Sequence, residues 1–255
     1  MTRLIFIINV LFAFKAQAQS TNFIFQGTIE YTKTVNTHAV LTKCLGVNLN
    51  GADQVALEQF KKNQPQFQTL NSKLTFDKNR LVFTPRKEEL VEKSPDIPLL
   101  SQHNTTITNL DSGIVVSYKN IMDKMFVMKD SLLKVKWKLT DEVRDVAGFT
   151  CFRANGITMD SVYVVAFYAP TIQVSGGPEY FGGLPGMILE IALPHYNVNW
   201  RATKITGIKE NVVNSLPRST GRLIDRKQLL GLIETSLGGT VRGKRRDFII
   251  LDYLL

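Results

Sequence analysis

From Phe23 to Val35 the chain alternates. Phe23, Phe25, Ile29, Tyr31 and Val35 fall on one side of an extended backbone, and Gln26, Thr28, Glu30, Thr32 and Thr34 on the other. Period two predicts a half-buried strand. The alternation is lost after Val35. Asp53 to Asn63 instead gathers Val55, Ala56, Gln59 and Phe60 on one helical side, and Pro65 stops it, which predicts a short helix inserted between strands. Short strands follow at 72–76 and 81–84, joined by Asp77-Lys78-Asn79-Arg80, a turn-forming composition. Residues 85–103 hold Pro85, Pro95 and Pro98 among many charges and read as an exposed loop. Strands are then expected at 105–108, 114–118 and 124–128.

The plainest alternation comes next. Leu133, Val135, Trp137 and Leu139 interleave with Lys134, Lys136, Lys138 and Thr140, so one face should be buried and the other is a lysine ladder. Residues 142–146 and 149–154 form a hairpin about Gly148. Residues 162–168 (VYVVAFY) are apolar on both faces and should be covered on both sides. A further pair is expected at 187–193 and 198–206. Regular short strands with turns between them predict a mainly β fold: an antiparallel meander forming an open barrel or half-barrel. Near the C-terminus, Gly221 to Leu237 has helical apolar spacing and ends at Gly238-Gly239. Then come the basic residues Arg242, Lys244, Arg245 and Arg246, and an apolar run from Phe248 to Leu255 that reads as a last strand.

Between two of the apolar strands lies the densest run of Gly and Pro in the chain, Ala169 to Glu190 (APTIQVSGGPEYFGGLPGMILE). It is too long for a hairpin turn, and long ordered loops are often functional. Tyr180, Phe181 and Leu184 are apolar enough to fold onto the sheet. Two roles remain open: a corner that seals the core, or one wall of a cavity for an apolar ligand or a partner peptide.

Composition changes the picture little. A hydrophobic fraction of 44% and a charged fraction of 21% are ordinary for a core-forming protein. The formal net charge of +9 would favour an anionic partner or simply confer solubility. The N-terminus adds more. Arg3, the apolar run Leu4 to Phe14 and the small-x-small sequence Ala16-Gln17-Ala18 have the form of a signal peptide at 1–18, cleaved to leave Gln19. The run is shorter than the ~20 residues of a membrane span. The expected organisation is therefore the signal peptide at 1–18, an antiparallel β domain at 19–215 containing the loop, and a C-terminal helix with its basic and apolar tail at 216–255 packed on the same domain. Cys44 and Cys151 are an even pair in a chain expected to be exported. They read either as a disulfide or as two buried thiols.

The obvious chemistries fail on spacing. Gly177 to Gly182 is spaced as a phosphate loop, but Gly183 stands where a lysine is required. Ser175 lacks the first glycine of a nucleophile elbow. His38, His103 and His195 are far apart in sequence and fit no metal motif. Glu179 and Glu190 flank the loop and could form a carboxylate pair for hydrolysis, although Glu190 defaults to the solvent face of its strand. No catalytic residue, metal or cofactor is implied.

The segment from Val165 to Glu190 resembles the GLPGLI family of exported proteins from Gram-negative bacteria. The motif stands here as Gly183-Leu184-Pro185-Gly186-Met187-Ile188. It is preceded by Phe167-Tyr168-Ala169-Pro170, Ile172-Gln173-Val174-Ser175 and Gly177-Pro178. Gly148-Phe149-Thr150-Cys151-Phe152-Arg153-Ala154 and Trp137 also resemble family positions. Phe167, Gln173 and Met187 depart from the family pattern, and none removes a reactive group. The resemblance implies export, the cell envelope and a β fold, and it brings no catalytic residues. The positions expected to shape or line a binding site are Tyr168, Pro170, Ser175, Gly177, Pro178 and Tyr180, continuing through Phe181, Gly183, Leu184, Pro185, Gly186 and Glu190. The function expected is that of an exported periplasmic or secreted envelope protein binding a hydrophobic ligand or a partner protein. The alternatives are a peptide or glycan hydrolase and an accessory subunit of an outer-membrane transport system. The basic cluster at 242–246 could meet an anionic surface, and no specific nucleic-acid partner is indicated.

Overall fold

The computed structural model describes residues 23–46, 49–86, 97–100, 104–121, 124–207, 221–238, 241 and 243–255. The leader at 1–18, most of the charged loop at 85–103, His103, Arg242 and the 215/216 boundary lie outside the described residues.

Among the described residues the centre of the fold is one open sheet of twelve strands. In chain order they are β1 (Gly27–Asn36), β2 (Phe67–Phe76), β3 (Arg80–Pro85), β4 (Thr105–Asn109), β5 (Ile114–Ile121) and β6 (Lys124–Ser131). Then follow β7 (Val135–Val146), β8 (Phe149–Thr158), β9 (Tyr163–Ala169), β10 (Met187–Leu193), β11 (Val198–Thr206) and β12 (Arg222–Ile224). The order across the sheet is β12-β6-β5-β4-β3-β2-β1-β11-β10-β9-β8-β7. Two meanders therefore meet where β1 pairs with β11, from Thr28↔Thr206 to Val35↔Val198. All pairings are antiparallel except β12 with β6. The expected antiparallel open sheet is present, with this one parallel edge added.

Among the described residues four α-helices accompany it: α1 (Thr37–Leu45), α2 (Gly51–Asn63), α3 (Arg226–Leu237) and α4 (Lys244–Leu254). Helix α1 was not expected. The Asn36 side chain caps it by accepting from the Ala39 amide, so β1 turns directly into a helix. Helix α2 is the inserted helix, but it buries Leu57 and half-buries Phe60, while Val55 faces solvent. Phe23 and Phe25 likewise stay largely exposed, because the chain before Gly27 leaves the sheet to bridge Ile24 to Ile172. The apolar C-terminus is a helix rather than a last strand. Phe248, Leu251 and Leu254, three residues apart, form its buried stripe. Lys244, Arg245 and Arg246 form its first turn, not a connecting turn, and Arg246 is paired with Glu234.

The segments at 133–140 and 142–146 form one long edge strand, β7, bulged between Leu139 and Val143. Its apolar face is only half covered: among the described residues β7 is the edge strand, with Trp137 half-buried and Leu139 exposed. A lysine-bearing edge also discourages further strand pairing. By contrast, β9 and β10 are buried almost throughout, as residues apolar on both faces require. The main core holds Ile29, Tyr31, Val35, Phe83, Ile191 and Trp200. A second, smaller cluster joins Ile121, Phe126 and Met128 to Leu229, Ile233 and Leu254 beneath the C-terminal helices.

Candidate functional site: a cleft beside the Gly-Pro loop, over a buried ion cluster

The loop between β9 and β10 is built by short-range hydrogen bonds that glycine makes reachable. The Met187 amide donates to Ile172 O, the Ile188 amide to Gly176 O (2.7 Å) and the Gly183 amide to Ser175 Oγ (3.0 Å). Gly186 has φ +150°, and a Cβ there would lie 2.4 Å from Ala169 O, so only glycine lets the loop close under β9. Trp137 fastens the loop to β7 by donating from Nε1 to Gly182 O at 3.0 Å. The indole lies across Gly156, its register partner on β8, where a Cβ would approach it to 2.6 Å.

The loop both seals the core and lines a cavity. Phe181 and Leu184 are buried on the sheet along with Gly177, Pro178 and Gly186, while Pro170, Ser175 and Tyr180 are half-buried and Gly183 and Pro185 exposed. Three adjoining clefts of about 290, 310 and 270 Å³ share Leu133 and Tyr180. Val115, Met128 and Met159 line the first, Phe181, Leu193, Leu251 and Leu254 the second, and Leu81, Ser175 and Gly183 the third. The ion pair of Arg226 with Asp160 sits between the first two. A larger concavity of about 1000 Å³ at the rim near Phe25 and Asp111 is broadly open, is lined mostly by turn residues and contains none of the loop positions. We therefore place the candidate site at Tyr180. Tyr168, Pro170, Pro178, Leu184, Pro185, Gly186 and Glu190 do not line these clefts.

Sequence reading missed two lysines below Tyr180 and named Glu179 there only as a partner for Glu190. Lys33, Lys119 and Glu179 are all but buried, at 2%, 1% and 4% exposure. Lys33 is the register partner of Trp200 and holds its ammonium 5.1 Å from that ring. Lys119 Nζ donates to Leu254 O at 3.4 Å, and the Tyr180 hydroxyl donates to the same carbonyl at 2.6 Å. Both lysines feel Glu179 and Asp252. Burial pushes the Glu179 carboxyl up to about 7, against the pull of Lys33, Lys119 and Trp200. Burial pulls Lys119 down to about 8, against Glu179 and Asp252, and it lowers Lys33 too. Trp200 lies near enough to favour the carboxylate, yet Glu179 Oε2 and Trp200 Nε1 make no aligned hydrogen bond. Glu179 is also held at φ +55°, a backbone region unfavourable for a residue with a Cβ. Lys33 and Lys119 lie on strands four apart in the sheet, ~19 Å if it were flat at ~4.8 Å per strand. Glu179, on the loop, is the carboxylate that both of them feel.

Glu190 belongs to another cluster. It is the register partner of Arg201 and Phe167, whereas the neighbouring Ile191 pairs with Trp200. Its side chain therefore leaves the opposite face of the sheet. There Oε1 accepts from Arg144 at 3.2 Å and Oε2 from Arg201 at 2.6 Å, and Arg144 stacks 3.8 Å over the Phe167 ring. The sheet thus separates Glu179 from Glu190, and the two are not a facing carboxylate pair.

Cys44 and Cys151 are free thiols, so the disulfide option is not realised here. Cys44 lies at the end of α1 near Arg245, while Cys151 is a buried residue of β8 near Tyr31 and Asp145. Burial pushes both thiols up, Cys44 to about 11 and Cys151 to about 12, which makes them poor nucleophiles. His38 Nε2 bonds to Gln64 O, and His195 is exposed on the turn at Pro194–Tyr196.

Residues 155–190 match the model of a family described as "Protein of unknown function (Porph_ging)". That match ends at the strand that follows the loop. No curated protein matches the chain. Two solved structures of PNGF-II, in P21 and C2 crystal forms, are similar in fold at TM-score 0.51 and 17% identity. The likeness covers 83% of this chain but only 34% and 33% of theirs, so the chain spans about a third of the length of those proteins. An uncharacterized conserved protein from Thermus thermophilus is more remote, at TM-score 0.35 and 8% identity over 78% of this chain and 91% of that one.

Proposed function

We propose that the protein is an exported, periplasmic or secreted envelope protein that binds a hydrophobic ligand in the cleft beside Tyr180. One observation carries this reading: three adjoining clefts of about 300 Å³ each share Leu133 and Tyr180, and their walls combine apolar side chains such as Met128, Leu193 and Phe181 with a few polar groups such as Asp160 and Arg226. Methionines such as Met128 and Met159 adapt to ligands of varied shape. The leader-like sequence at 1–18 supports export, and no described helix is long and apolar enough to cross a membrane. Native mass spectrometry of protein recovered from the periplasm tests the reading. A co-purifying lipid that is lost in Leu133→Glu is expected, and bare protein in lipid-replete cells would contradict it.

A hydrolytic reading has one observation in its favour, the buried Glu179 carboxyl displaced to about 7 beside two lysines. Glu179 lines none of the described clefts, so a substrate would need the loop or α4 to move first. For an acidic surface or partner, Lys244 and Arg245 are exposed on α4, while Arg246 is engaged by Glu234.

A further inference from the structure

Two donors converge on one acceptor at the floor of the cleft. The Tyr180 hydroxyl and Lys119 Nζ both donate to Leu254 O, at 2.6 and 3.4 Å, and Arg226 lies beside the same hydroxyl. The acceptor belongs to the last turn of α4. Leu251, Leu254 and Leu255 of that segment also form one side of the 310 Å³ cleft, opposite Leu133, Phe181 and Leu193. The protein thus holds, within its own cleft, a carbonyl oxygen on a short apolar segment. That is the chemistry of an acyl chain with an oxygen at its head.

We propose that the last turn of α4 occupies a site for a carboxylate-headed acyl chain, and that such a ligand displaces the turn and presents its carboxylate to Tyr180 and Lys119. The inference rests on the cleft being the ligand site and adds the head-group chemistry and the movement. Charge favours a carboxylate over a neutral carbonyl. Two buried lysines face two carboxylates, Glu179 and Asp252, and burial favours the uncharged form of Glu179. A carboxylate in the place of Leu254 O would meet the Lys119 ammonium beside the Tyr180 hydroxyl. The remaining nearby carboxylate, Asp160, is paired with Arg226.

Features of α4 suit displacement. It has eleven residues, its N-cap Gly243 provides no side-chain hydrogen bond, and Lys244 and Arg245 stand at the end of the helix that disfavours positive charge. Its underside is incompletely packed, since the 310 Å³ cleft lies along it. Tyr196 packs at a tilt on Phe248, 4.9 Å between ring centroids, and Arg246 pairs with Glu234, both distant from the last turn in sequence. The last turn itself is held by the bonds from Tyr180 and Lys119 and by buried Leu251, Leu254 and Leu255, the contacts an acyl ligand would replace.

The test uses oleate and oleyl alcohol as matched probes on the full chain, read by calorimetric titration and by amide hydrogen exchange. Oleate is expected to bind about tenfold more tightly than the alcohol. Tyr180→Phe, which deletes one hydroxyl, should remove most of that preference, lowering oleate affinity by a larger factor than it lowers alcohol affinity. Exchange across 250–255 should rise on oleate binding, the reverse of the protection a ligand gives to a helix it merely covers. Equal affinity for acid and alcohol, or protection of 250–255 by oleate, would overturn the displacement while leaving the cleft as a ligand site. Failure of both probes to bind would overturn the cleft reading itself. Inorganic phosphate competing with oleate at equal concentration would overturn the acyl assignment, because the tail would then contribute nothing.

Discussion

Glu179 and Glu190 lie eleven positions apart, flank the same loop and are both nearly buried, yet the sheet puts them in opposite electrostatic settings. Glu190 meets two guanidinium groups whose side chains remain 41% and 46% exposed. Water keeps most of the cost of burial low there, and each carboxylate oxygen has a directed donor. Glu179 meets ammonium groups that are themselves buried, and its Oε2 has no aligned donor. Its burial outweighs the attraction of Lys33 and Lys119. The comparison teaches that a buried ion cluster need not stabilise a fold: desolvation can exceed the Coulombic gain. What such a cluster provides is a group ready to change its charge when the surroundings change.

The largest effect expected near either site comes from the loop that carries Glu179. Gly186→Ala should cost more than about 3 kcal/mol, because its Cβ meets backbone at a φ that strains any other residue. Chemical denaturation reads this directly. The paired substitutions then separate the two carboxylates by sign. Folded Glu179 holds its proton up to about pH 7, whereas the unfolded chain releases it near 4.3, so stability is greatest below that lower value and declines as pH rises to 7. Glu179→Gln should therefore be more stable than wild type at pH 7.5, by roughly 3 kcal/mol, and close to it at pH 4.5. Glu190→Gln should lose about 1–2 kcal/mol by leaving Arg144 and Arg201 without their acceptor, and should keep the wild-type decline from pH 4.5 to 7. A destabilised Glu179→Gln at pH 7.5 would show that the lysine attraction wins after all. Lys119 adds the opposite slope. Its folded value near 8 lies below the unfolded one near 10.4, so stability recovers as pH rises from about 8 to 10.4. The smallest effect is at the anchor: Trp137→Phe removes the bond to Gly182 O and should cost about 1 kcal/mol in the same denaturation series.

Much of this arrangement is legible along the chain. The burial of β9 on both faces follows from an unbroken apolar run and the turn at Asp77 to Arg80 from its composition, whereas β10 carries Glu190, which its sequence assigned to the solvent face and the fold covers. Lys33 and Lys119 were also legible by parity. Lys33 falls on the same side as Ile29, Tyr31 and Val35, and Lys119 shares a side with Val115 and Ile121, so a core lysine is implied once the strand is extended far enough. Glu179 was not, because its burial depends on how a glycine-rich loop folds back over strands distant in sequence. Helix α4 was misread because Phe248 to Leu255 is apolar enough for either period, and only the packing of Phe248, Leu251 and Leu254 decides it. The opposite facing of Glu179 and Glu190 depends on the register of β10 against β9 and β11, which includes a bulge between Ile188 and Glu190.

The central claim, that the cleft beside the loop is a ligand site, is tested most directly by Nile red titration of two charge insertions at exposed apolar positions. Met159, 75% exposed, borders the cleft, and Val55, 58% exposed, is remote on α2. Met159→Glu should weaken Nile red binding by about fivefold or more, and Val55→Glu should leave it at the wild-type value. Equal effects of the two substitutions, or none from Met159→Glu, would contradict the account.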